Sequence, residues 1–160
     1  MNRFILLLLF CALHEGAIAA IWQLPNHKIS LAKQSPQIGY NLVSNNHLYV
    51  CQAPLWGHKQ LGVTWSFHNK CELPYAKKIY VVDKYLVLAK SKLKWLAYKQ
   101  SRGKQALILG SGGSQLALSL CRGYYYHSLL IGKTWRGHPY CDVVYQGKVK
   151  SLKKYSVLVG

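Results

Sequence analysis

The chain has 160 residues, about one domain's length, and its 21 Lys and Arg stand against 4 Asp and Glu, a formal net charge of +17. Most lysines therefore lack an acidic partner, and their field favours anionic partners such as lipid head groups, nucleic acid or charged glycans. So few carboxylates argue against an enzyme that needs a general acid–base pair.

Residues 1–19 begin with a basic Arg3, continue through the apolar run "FILLLLFCAL" and end in Ala17-Ile18-Ala19 before Ala20. That is the pattern of a secretory signal peptide. The run is too short to span a bilayer, and Cys11 follows Leu9-Phe10 where a lipoprotein has small residues. Cleavage after Ala19 leaves residues 20–160 in a secreted or periplasmic compartment. No later segment is apolar for long enough to cross a membrane, so no stable membrane insertion is expected. In an oxidising compartment Cys51, Cys71, Cys121 and Cys141 are an even set that reads as two disulfides.

The rest of the chain reads as short β-strands bounded by turn residues. In order these are "HLYVCQA", "LGVTWSF" and "IYVVDKYLVLA", then "LALSLCR", "IGKTWRG" and "CDVVYQG". All are rich in β-branched and aromatic residues. Turns are expected near Asn45, near Asn69 and at "GSGGS" from Gly110. No segment carries a sustained helical period, so the fold class is all-β.

Residues 48–88 and 118–158 align without a gap at an offset of 70. Cys51 meets Cys121, Gly62 meets Gly132, Thr64-Trp65 meets Thr134-Trp135, and His68 meets His138. Cys71 likewise meets Cys141, Tyr75 meets Tyr145, and Tyr85 meets Tyr155. The chain is a tandem duplication, with repeat one at 22–88, a linker at 89–94 and repeat two at 95–158. Two copies are too few for a solenoid, so they are expected to pack face to face, with pseudo-twofold symmetry, as one domain. The equal spacing of 20 residues between Cys51 and Cys71 and between Cys121 and Cys141 favours a disulfide within each copy. Four cysteines still allow three connectivities.

The ordered motifs "LYVCQA", "LGVTW", "KCELPYAKK" and "DKYLVL", with "LCRGYY", "IGKTW", "CDVVYQGK" and "KKYSVL" in the second copy, resemble the DM-nine repeat family. The resemblance implies a β-rich module of two intertwined repeats, a mannose-type lectin without enzyme activity or cofactor, from a family whose members often form homodimers. In that family an Asp after the leading glycine and a Lys in the "pGK" motif hold sugar hydroxyls. Here the Lys position is Lys133 in the second copy and Val63 in the first. The Asp position falls on Asn41 and Gly112. Ile79 and Val149 replace the family's Glu, and Arg122 keeps an Arg where the first copy has Gln52.

The candidate ligand-binding residues are therefore Lys133, Arg122, Tyr124, Tyr125, Tyr126 and Asn41. Rings offer faces to a sugar's C–H surface while cations and amides reach its hydroxyls. The segment "YYYH" is expected in a loop, and Trp65 and Trp135 in the core. Lys133 is the strongest single position. The histidines have no metal-ligand spacing, "GSGGS" lacks the lysine and helix of a phosphate loop, and Glu72 and Asp142 answer the local lysine excess.

Two functions remain. One is a secreted glycan-binding module. The other is a cationic binder of anionic surfaces (lipopolysaccharide, phospholipid or extracellular nucleic acid), to which residues 77–104 bring nine Lys and Arg against one Asp. Salt separates them, since ionic binding weakens steeply with it.

Overall fold

The computed structural model describes residues 22–101, 106–113 and 116–160. The expected signal segment, 1–19, lies outside the described residues. The first copy contains β1 (Trp22–Gln23), α1 (Leu31–Gln34), β2 (Gly39–Asn41), β3 (Asn46–Leu55), β4 (His58–Trp65), β5 (Cys71–Tyr75), β6 (Lys78–Val82) and β7 (Leu86–Leu88). The second contains β8 (Lys94–Ala97), α2 (Tyr98–Ser101), β9 (Ile108–Gly112), β10 (Leu116–Tyr125), β11 (Ser128–Trp135), β12 (Cys141–Tyr145), β13 (Lys148–Leu152) and β14 (Ser156–Val159). The all-β expectation holds, and the two helices are single turns.

The central unit of each copy is a long hairpin. β3 pairs with β4 from Leu48–Trp65 to Leu55–His58, and β10 with β11 from Leu118–Trp135 to Tyr125–Ser128. Their two-residue turns, Trp56-Gly57 and Tyr126-His127, have positive φ at both positions, which matches the twist of the flanking strands. The expected loop "YYYH" is thus half strand and half turn: Tyr124 and Tyr125 pair with Leu129 and Ser128, and Tyr126 and His127 turn.

Two further boundaries differ from the sequence reading. "IYVVDKYLVLA" breaks into β6 and β7, because Asp83 turns outward to Lys70, 3.0 Å away, while Tyr85 turns into the core. "GSGGS" is not one flexible turn, since Gly110, Ser111 and Gly112 belong to β9 and pair with Leu118, Ala117 and Leu116. Without side chains at 110 and 112, that stretch could not be recognised as a strand by its pattern. The turns at Asn45 and Asn69 are present, with φ of 53° and 56°.

The two copies share one continuous antiparallel sheet, which passes from one to the other through β2. Gly39–Asn41 pairs with β3 on one side, and Tyr40 lies opposite Leu129 of β11 on the other. In the second copy β9 crosses to β4, where Lys59 N donates to Ser111 Oγ at 3.1 Å. Glycine permits both crossings: a Cβ on Gly39 would overlap Leu129 O, and one on Gly110 would meet Lys59 O. The same exchange recurs in side chains, with Gln52 Nε2 donating to Leu109 O at 2.7 Å and Arg122 Nη1 to Ile38 O at 3.1 Å.

The larger core draws on both copies, with Ile38, Val50 and Leu61 beside Leu120, Leu130 and Val157. Each such side chain contributes about 1.5–3 kcal/mol on burial. A smaller cluster in the first copy gathers Leu31 of α1, Tyr49, Leu73 and Tyr85 around a disulfide. The bridges are Cys51–Cys71 and Cys121–Cys141, one within each copy, each with a Cα separation of 5.9 Å and fully buried.

Candidate functional site

Lys133 sits on β11, between Leu120 of β10 and Asp142 of β12. β12 can lie this close because residue 132 is glycine, where a Cβ would overlap Asp142 O. The lysine side chain is buried, 4% exposed, and its Nζ donates to Gln60 Oε1 at 2.6 Å. Gln60 comes from β4, so the pair spans the two copies. Nζ also lies 5.1 Å from the centre of the Tyr75 ring, a second contact contributed by the first copy. Burial pushes the Lys133 amine down to about 8, while the Asp142 charge holds it up.

These groups border a cavity of about 400 Å³, walled by Tyr75, Trp135, Leu118 and Gly112, with Gln60, Lys77, Lys133 and Asp142 among its polar members. Asp142 is held by its own supports. His138 Nε2 lies 3.0 Å from Oδ2, and Ser151 Oγ donates to Oδ1 at 2.7 Å. His138 in turn stacks on Trp135 at 3.8 Å between ring centres. Of the two carboxylates expected to answer nearby lysines, Asp142 acts on Lys133 and also lies beside His138, whereas Glu72 lies beside His68 rather than in ion-pair contact with a lysine. In the first copy His68 stacks on Trp65 at 3.7 Å, and its Nε2 lies 3.2 Å from Glu72 Oε1 without hydrogen-bond alignment. The two tryptophans are partly buried at the core's margin.

The corresponding cavity of the first copy, about 250 Å³, has Asn41, Val63, Trp65 and Glu72 on its walls. Val63 brings no cation to it. The Asn41 Oδ1 accepts from Val43 N at 3.0 Å and Ser44 N at 3.3 Å, closing its own turn. Asn41 therefore serves the backbone as well as facing the cavity.

The six residues chosen from the sequence do not converge. Lys133 and Asn41 line different cavities of the same type. Arg122 and Tyr124 line a third, with Arg122 stacked 4.2 Å over Trp95. Tyr125 and Tyr126 form a ring cluster with Tyr145, at 4.9 Å and 6.3 Å between centres, and Lys150 sits 5.9 Å over Tyr125. Gln60, Tyr75 and Asp142 were missed as companions of Lys133. Register with Lys133 would have pointed to Asp142, but no feature of "HKQLGV" distinguishes Gln60.

Among the described residues no group of three or more His, Cys, Asp or Glu side chains is arranged to hold a metal ion. The Lys133 cavity offers hydrogen-bond donors and acceptors beside aromatic faces, the chemistry of polyol recognition. A family model described as the DM9 repeat matches residues 43–159. No curated protein matches the chain.

Proposed function

The chain belongs to the DM9 repeat family, and from that premise we propose that it is a secreted, non-enzymatic lectin-like module that binds glycans in the Lys133 cavity. The observation that carries the reading is the pair Lys133–Gln60, a cationic donor and an amide from opposite copies, 2.6 Å apart and both lining a cavity that Tyr75 and Trp135 also wall. A sugar hydroxyl both donates and accepts. It can accept a hydrogen bond from the Lys133 ammonium and donate one to Asp142 or Gln60, while a pyranose C–H face rests on Tyr75 or Trp135. Two disulfides, and the absence of a helix long and apolar enough to cross a membrane among the described residues, are compatible with secretion.

A glycan array with wild type and Lys133→Met tests this. Saturable binding that the substitution removes, with the melting transition retained, is the expected outcome. Silence across neutral and anionic glycans overturns the reading.

The second reading, a cationic binder of anionic surfaces, is favoured by charge. The only Lys–carboxylate ion pair among the described residues is Lys70–Asp83, so no other lysine there is in direct ion-pair contact with an Asp or Glu side chain. Ionic binding of this kind falls by orders of magnitude between about 50 mM and 200 mM salt, whereas a hydroxyl-reading cavity responds little.

A further inference from the structure

Arg122 and Tyr124, which the fold separates from Lys133, line a larger cavity of about 730 Å³. Lys99, Arg122, Lys153 and Lys154 border it, and no carboxylate does. The carboxylates of the described residues are engaged elsewhere, Glu72 beside His68, Asp83 on Lys70, and Asp142 on His138 and Ser151. Apart from Ser156 the rest of the wall is apolar or aromatic, chiefly Leu129 and the stacked rings of Tyr98 and Tyr155, 4.7 Å apart.

Arg122 is already positioned. Its hydrogen bond to Ile38 O and its seat on the Trp95 ring fix a planar fork of donors at low entropic cost to a ligand. The loop carrying Lys153 and Lys154 reaches the same wall because residue 123 is glycine, where a Cβ would stand 2.8 Å from Lys154 O. The first copy carries other residues at the matching positions. Gln52 replaces Arg122, Asp83 replaces Lys153 and Pro54 replaces Tyr124, while Leu31 packs in the cluster of Tyr85, the counterpart of Tyr155.

We propose that this cavity binds an anionic amphiphile, a phosphate, sulfate or carboxylate head held by Arg122 with Lys153 and Lys154, and an apolar body laid along Leu129 and the tyrosines. Charge-assisted, forked hydrogen bonds select the head, and the apolar wall excludes a bare inorganic anion as the preferred ligand. The site is separate from the Lys133 cavity and does not depend on glycan binding there.

The test is calorimetric titration of the full chain with octyl phosphate, octanol and inorganic phosphate. Octyl phosphate is expected to bind saturably at one site, and each of the other two about tenfold or more weaker. Arg122→Gln and Lys153→Asp install the first copy's residues. Gln52 already donates to Leu109 O, so a Gln at 122 retains a partner for Ile38 O. Each substitution should weaken octyl phosphate about tenfold or more. Vesicles containing phosphatidylglycerol identify the source of the head group. Vesicle binding that also requires Arg122 assigns the site to a lipid, and octyl phosphate binding without vesicle binding assigns it to a soluble amphiphile. Absence of saturable octyl phosphate binding, or binding that both substitutions leave unchanged, overturns the proposal, as does vesicle binding indifferent to Arg122 when octyl phosphate does not bind.

Discussion

Lys133 is an ionisable group under opposed forces, and its titration gives the first prediction. The unfolded chain keeps this amine protonated up to its ordinary value near 10.5, while the folded chain releases the proton near 8. Between those values the unfolded state binds more protons, so stability rises with pH, by up to about 3 kcal/mol. Below pH 8 both states are charged and the burial penalty is fully present. Urea denaturation at pH 7.5 and 9.5 should therefore show wild type gaining on Lys133→Met; parallel responses would contradict the assignment. The window must stay below pH 10, because burial raises the Tyr49 phenol and lifts Tyr155 to about 12, and both contribute stability that is lost as pH rises through their folded values. The same proton governs ligand affinity. At pH 9 roughly a tenth of the amines remain ammonium, so glycan affinity should fall severalfold from pH 7, and unchanged affinity would remove Lys133 as the cationic donor. The lysine was legible in the sequence because "IGKTW" keeps a family residue that the first copy lost as Val63. Its companion was not, because Gln60 arrives from a strand 73 residues away. Asn41 was read as a ligand, and the sequence carried no sign that its side chain also closes its own turn.

Strand crossings are the element-scale devices that bring the copies together, and they depend on missing side chains. Gly39→Ala should cost about 1–3 kcal/mol or more, since the new Cβ must displace β2 from the Leu129 carbonyl. Gly112→Ala is the control, because its Cβ would meet only the Leu116 and Leu118 side chains at 3.4 Å and beyond. Equal urea midpoints for the two variants would contradict the crossing. The disulfides brace the same framework, tying β3 to β5 and β10 to β12. Each closes a loop that the chain-entropy model values at about 3 kcal/mol, a large part of a typical domain's 5–15 kcal/mol. Nonreducing peptide mapping should recover Cys51 with Cys71 and Cys121 with Cys141, and reduction should lower the unfolding midpoint strongly; four free thiols would refute the pairing. Strands with alternating apolar residues, such as "LALSLCR", were legible in the sequence. β9 was not, because "ILGSG" lacks side chains at the positions where another strand must pass close.

At the scale of the whole molecule, repetition was the most legible property, since cysteines, tryptophans and glycines recur at one spacing. How the copies join was not, because strand pairing between distant segments leaves no local pattern. That joining creates the Lys133 cavity, which neither copy could form alone: Lys133, Trp135 and Asp142 come from one and Gln60 and Tyr75 from the other. The two cavities differ in chemistry, with an amine in one and a valine at the matching position of the other. Net charge adds a sequence-independent attraction to anions, and a salt series separates it from the cavity's contribution. The most direct measurement is a crystal structure of the protein with an array-positive glycan. The account predicts a sugar ring in the Lys133 cavity, with a hydroxyl in hydrogen-bond reach of Lys133 Nζ and a ring face on Tyr75 or Trp135. A glycan bound only along the lysine-rich surface or at the Tyr125–Tyr126 hairpin tip, with the Lys133–Gln60 pair undisturbed, would contradict it.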